Sequence, residues 1–118
     1  MRTFVASKIH GIKVVDKSIN YSGSIAVSIK LLEEAGMEAF ERVDVVNITT
    51  GARWTTYLLP DEREGWFSLN GGGARLGEIG DKCILMTWRE DELFCGAQVI
   101  FCDDKNRICD RMIYKAPT

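Results

Sequence analysis

Val43-Asp44-Val45-Val46-Asn47-Ile48, then Thr49-Thr50-Gly51, then Trp54-Thr55-Thr56-Tyr57-Leu58-Leu59 reads as two strands joined by a turn. β-branched and aromatic side chains suit a pleated, half-buried surface, and the glycine marks the reversal. The same pattern recurs outward in both directions. Phe4 to Ala6, Ile12 to Val15, Ile25 to Val27, Trp66 to Leu69, Cys83 to Thr87 and Gln98 to Phe101 are further short apolar runs bounded by turn signals. Asp103-Asp104-Lys105-Asn106 reads as another turn. One helix is predicted after Ser28 as N-cap, with Leu31, Leu32 and Ala35 on one face and Gly36 ending it. A mainly β chain of many short strands and a few short helices points to a closed barrel, which removes exposed sheet edges.

The 118 residues fit one domain spanning 1–118, with no repeat, linker or low-complexity segment. Hydrophobic residues are 46% and charged residues 27% of the chain, a balance that folds. The formal charge of −2 supplies no general basic surface for phosphates, so nucleic acid is not an expected partner. No run approaches the ~18 apolar residues of a membrane span, and Met1-Arg2-Thr3-Phe4 leads into no secretory pattern, so no membrane is expected and the expected address is cytoplasmic. Cys83, Cys95, Cys102 and Cys109 form no Cys-x-x-Cys pair and His10 is the only imidazole, so reduced thiols are expected and no metal site.

Chemistry-bearing residues occur in order along the chain. They are Lys8-Ile9-His10, Tyr21-Ser22-Gly23-Ser24, Asn47, Gly51, Arg53, Thr56-Tyr57, Asn70-Gly71-Gly72-Gly73-Ala74 and Gly80-Asp81. Gly23-Ser24 alone is an ordinary turn dipeptide. In this setting the sequence resembles the bacterial aspartate 1-decarboxylase family, from Arg2 to about Lys82 and again from Asp103 to Ile108.

The resemblance implies a six-stranded double-psi β-barrel, a homotetramer with active sites shared between subunits, and decarboxylation of L-aspartate to β-alanine and CO2 for pantothenate synthesis. It also implies a pyruvoyl group formed from Ser24 by autocatalytic cleavage into chains 1–23 and 24–118, in some relatives with a maturation factor. Such a group forms a Schiff base with the substrate amine and acts as the electron sink that decarboxylation needs. Gly23 adopts backbone angles closed to other residues and offers no Cβ to the attacking hydroxyl. By resemblance, Thr56 supports the developing oxyanion during cleavage and Tyr57 donates the proton to the carbanion. Strand alternation sends these two neighbours to opposite faces unless the strand bulges or ends there.

Arg53 and Lys8 are the expected cations for the two substrate carboxylates, in an order the sequence leaves open. Asn70, Gly71, Gly72 and Gly73 put an amide beside flexible backbone that approaches an anion closely, and His10 and Tyr21 are further pocket residues. The chain departs from the family where Val46 replaces a common Trp and Gly72-Gly73 a common Ala-Ala, which predicts a smaller, looser pocket wall. Ala26-Val27-Ser28 and the segment from Arg89 to Ala97 also differ. Two other readings follow: a paralogue acting on another amino acid such as glutamate, and a double-psi barrel that never matures and serves as a binding module.

Overall fold

Residues Arg42–Asn47 (β4) and Arg53–Asp61 (β5) pair antiparallel with Val43 opposite Thr56 and Val45 opposite Trp54, as the central sequence predicts. Val43 and Val45 are fully buried while Asp44 and Val46 are half-buried, so two-residue alternation sets the inner and outer faces. The computed structural model describes residues 1–20 and 23–117. The other strands are β1 (Arg2–Lys13), β2 (Asp16–Ser18), β3 (Ile25–Ser28), β6 (Phe67–Asn70), β7 (Lys82–Asp91), β8 (Ala97–Cys102) and β9 (Ile108–Tyr114). One α-helix, α1 (Ile29–Ala35), and one 3-10 helix, Gly71–Leu76, complete the chain.

The sheet order is β2-β6-β3-β5-β4-β7-β1-β8-β9. β1 runs into β2 through Val14 and Val15 alone, so the far edge of the sheet is the continuation of an interior strand. Val14 N–H donates to Asp81 O at 2.9 Å, and Val15 N–H to Phe67 O at 2.9 Å. The sheet therefore curls back on itself, with six strands around the ring when β1 and β2 count as one bent strand. β8 and β9 form a hairpin alongside β1. Nine strands thus stand where six were expected, because the bend divides one strand and the hairpin adds two. Eighteen buried side chains form one connected apolar core, among them Ile9, Val27, Leu58, Phe67 and Leu85.

Three local differences from the sequence reading have physical causes. Phe4 to Ala6 and part of Ile12 to Val15 are one strand, whose pairing with β7 shifts register between Val5 and Ser7 and between His10 and Ile12. Those bulges break the apolar alternation that would have announced it. β2 is a polar tripeptide, and β9 is exposed over most of its length with its apolar residues in two clusters around Asp110-Arg111, so neither shows the alternation of a half-buried strand. Helix α1 follows Ser28 as expected, without a side-chain cap from it, and stops at Gly36 in the left-handed conformation at φ 73°.

Candidate active site

Ser24 immediately precedes β3, and its backbone leaves the ladder with φ 96°, a conformation that side chains with a Cβ rarely adopt. The residue is 4% exposed, and its hydroxyl has no hydrogen-bond partner among the described residues. A buried hydroxyl without a partner costs ~1–3 kcal/mol and the backbone strain a similar amount. Two such costs on one serine mark a group held ready for chemistry. A Cβ built at Gly23 meets nothing within 4 Å among the described residues.

Two strands flank Ser24. Ile25 pairs with Leu58 on β5 and with Leu69 on β6, so one residue earlier the chain passes Tyr57 on one side and Asn70 on the other. Asn70 N–H donates to Ser24 O at 3.0 Å. The Asn70 side chain is not used to cap the 3-10 helix that follows, and Gly71 opens that helix with φ 62°.

Thr56 and Tyr57 take opposite faces. Pairing with β4 is continuous from Arg53 to Tyr57, with no bulge, so Trp54, Thr56 and Leu58 point inward while Arg53, Thr55 and Tyr57 point outward. Within one chain, then, Thr56 faces the interior at the level of Gly23-Ser24, and Tyr57, 40% exposed, stands on the outer surface.

Lys8, His10 and Arg53 lie elsewhere on that outer surface. Cross-strand pairing gives one row His10–Ile84–Val46–Arg53 and a second row Lys8–Met86–Asp44–Thr55. At ~4.8 Å per strand, three strand steps across and two residues along β5 put Lys8 and Arg53 about 16 Å apart. Arg53 is four residues from Tyr57 along β5, about 13 Å. One chain alone brings together Gly23, Ser24, Tyr57, Thr56, Asn70 and Gly71, and leaves Lys8, His10 and Arg53 in a separate group. Tyr21 falls outside the described residues. Burial, and then the charge of Lys8, lowers the His10 pKa below the ordinary histidine value, so its ring is neutral at pH 7.

A family comparison decides what this arrangement belongs to. The family described as Aspartate decarboxylase matches residues 1–109. The chain belongs to the aspartate decarboxylase family. Relatives named Aspartate 1-decarboxylase include one from Campylobacter jejuni, 40% identical over 108 residues, covering 88% of this chain and 86% of its own. Another, from Thermosipho africanus, is 43% identical over 107 residues, covering 88% and 89%. A third, from Leptospira biflexa, is 42% identical over 111 residues, covering 89% and 94%.

The chain also carries a residue beside this region whose role the sequence left unread. Asn47 is fully buried and donates from Nδ2 to Leu76 O at 3.1 Å and to Asp81 Oδ2 at 2.9 Å. Its Oδ1 accepts the N–H groups of Thr49 and Thr50 at 2.9 and 3.2 Å. Hydrogen bonds from Asn47 and then from the Glu78 N–H hold the Asp81 carboxyl below the usual range. This network ties the far end of the Gly71–Leu76 helix to β4. Asn47→Ala removes the four hydrogen bonds made by a fully buried side chain and is expected to cost about 3 kcal/mol, read as a lower urea midpoint. A loss below about 1 kcal/mol would contradict that role.

Gly73 corrects an expectation. The wall is not looser there, because the Trp54 indole fills the space: a Cβ at Gly73 would stand 2.9 Å from Trp54 Nε1. Two cavities, of about 750 Å³ beside Ser28, Lys30 and Arg111 and of about 590 Å³ beside Lys8, Trp88 and Tyr114, have no wall from Ser24, Tyr57 or Asn70. No group of three metal-ligating side chains is gathered, and no helix is long and apolar enough to cross a membrane, among the described residues.

Proposed function

We propose that this chain decarboxylates L-aspartate to β-alanine and CO2, using a pyruvoyl group made from Ser24 by cleavage of its own Gly23–Ser24 peptide bond. The single observation carrying the proposal is the buried, unpartnered Ser24 hydroxyl on a left-handed backbone. Membership of the aspartate decarboxylase family and relatives named Aspartate 1-decarboxylase support it.

Cleavage follows from the chain's own atoms. Ser24 Oγ attacks the Gly23 carbonyl carbon and the peptide nitrogen leaves, giving an ester and a free amine at residue 24. Loss of the Ser24 α-proton expels the Gly23 carboxylate and leaves a carbon–carbon double bond, and water then replaces the amine, releasing ammonia. The products are chains 1–23 and 24–118 of one barrel. Thr56, on the inner face at the level of this dipeptide, stabilises the oxyanion during attack, a contribution worth about 10²–10³ in rate. A pyruvoyl group at residue 24 would supply the carbonyl for the substrate amine and the sink for the electron pair left by CO2. Asn70 holds the residue-24 carbonyl through its backbone N–H, and Tyr57 returns a proton to the substrate carbon. Gly71, Gly72 and Gly73 carry the backbone that lines this end of the pocket.

Lys8 and Arg53 bind the substrate carboxylates, with His10 beside Lys8, from a neighbouring subunit of a homotetramer. The support is distance: Lys8 lies three strand steps from β5, and Arg53 lies about 13 Å along β5 from Tyr57, the residue that flanks its own Ser24. Tyr21 is assigned to the pocket by resemblance. Free Cys83, Cys95, Cys102 and Cys109 fit a reducing cytoplasm, where pantothenate synthesis would use the product and a maturation factor would act if one is needed.

Glutamate is the second reading, because Val46 stands beside Arg53 and leaves room that a Trp would fill. One methylene in such a pocket is worth roughly 10–200-fold. Purified protein given each amino acid, with β-alanine and 4-aminobutyrate counted, should use aspartate at least about tenfold better in kcat/KM. Equal values would reject aspartate as the preferred substrate.

A further inference from the structure

We propose that Trp54 is a positioning residue for the cleavage site, acting through Gly73 and Asn70, an inference that rests on Ser24 being the cleaved residue. Trp54 lies on the inner face of β5, partly buried against the core. Its indole edge lies on the backbone of Gly73: a Cβ there would meet Nε1 at 2.9 Å, Cε2 at 3.5 Å and Cδ1 at 3.6 Å. Nε1 is buried with no hydrogen-bond partner among the described residues. A donor left in that state is held by packing and not by bonding, so the ring is a wedge whose position the surrounding core dictates.

The indole edge stands beside the middle of the Gly71–Leu76 helix, in the space a Cβ at Gly73 would take. The far end of that helix is fixed, since Asn47 Nδ2 holds Leu76 O at 3.1 Å. Its near end starts from Asn70, whose N–H holds Ser24 O at 3.0 Å. A push on Gly73 with the far end fixed must be taken up at Asn70, and so at the strained serine peptide. Trp54 therefore sets the place of the scissile bond without touching it. The smooth backbone of Gly73 is what lets an indole, larger than a phenyl ring, occupy this site.

The test is a pair of single variants and their double. Gly73→Ala forces a contact shorter than van der Waals against the indole, and is expected to slow Gly23–Ser24 cleavage at least about tenfold, the scale set by sub-ångström misplacement of reacting groups. Trp54→Phe removes the pyrrole edge and slows cleavage about threefold by leaving the helix less supported. The double variant Trp54→Phe/Gly73→Ala puts the methyl where the pyrrole edge was, and returns the rate to within about threefold of wild type. Amide NMR of each uncut protein adds a readout that stability alone does not move. The Asn70 cross-peak shifts in Gly73→Ala and returns in the double.

Cleavage at the wild-type rate in Gly73→Ala, or no recovery in a folded double variant, overturns the proposal. If Gly73→Ala does not fold, an unchanged rate and an unmoved Asn70 peak in Trp54→Phe overturn it instead. An Asn70 peak that shifts and returns, in a wild-type chain that never cleaves, upholds the positioning and removes the cleavage reading alone.

Discussion

Ser24→Ala is expected to leave the 118-residue chain uncut and without decarboxylase activity, while melting cooperatively within a few degrees of wild type. The loss is complete because the serine oxygen is the attacking atom and the serine carbons become the reactive group; no neighbour supplies either. The fold survives because Ser24 Oγ contributes no hydrogen bond among the described residues, so its removal leaves no acceptor or donor stranded. Left-handed backbone is as strained for alanine as for serine, so the backbone cost carries over unchanged. Thr56→Ala separates the two stages. Its hydroxyl stabilises charge only during attack, so cleavage slows about 10²–10³-fold and any chain that does mature retains the reactive group. Gel analysis of both variants over days distinguishes them: Ser24→Ala never yields two chains, Thr56→Ala yields them slowly. Activity in an uncut Ser24→Ala protein would remove Ser24 from the chemistry.

Co-assembly of two inactive variants should recover activity. Lys8→Ala lacks a cation for the substrate and Ser24→Ala lacks the reactive group. If each site takes Ser24 from one subunit and Lys8 from the next, random mixing gives about a quarter of sites both working parts. The argument is geometric. Lys8 sits on the outer face of β1, and pairing through β7 and β4 places it three strand steps, about 14 Å, from β5, where Ser24 is flanked by Tyr57. Tyr57 also faces outward from β5, toward whatever covers that surface. Activity rising from background to about a quarter of wild type in co-expressed protein, and not when separately matured pools are mixed and assayed at once, is the expected result. Background activity in the co-assembled protein would place Lys8 and Ser24 in the same chain's site.

The central hairpin was legible because Val43 to Ile48 and Trp54 to Leu59 are two runs rich in β-branched and aromatic residues about a glycine turn. β1 was read in pieces because its two bulges place Ser7 and His10 out of phase with the apolar residues. β9 was not read, since a hairpin strand with little buried surface leaves no periodic trace. Among site residues, Ser24 and Asn70 came from motif resemblance, and the structure adds the strain and the flanking contact that a motif does not contain. The opposing faces of Thr56 and Tyr57 followed from strand alternation, and continuous pairing bears that out. Trp54 carried no signal beyond its place in a strand, because its tie to Gly73, nineteen positions away, exists only once the sheet curls.

Intact-mass measurement of the purified chain after prolonged incubation tests the central claim most directly. The expected result is two species, residues 1–23 with a free carboxylate and residues 24–118 lighter by one ammonia than the same segment beginning with serine. A single uncut chain, in buffer and in cell extract alike, or a cut chain retaining Ser24, would contradict it.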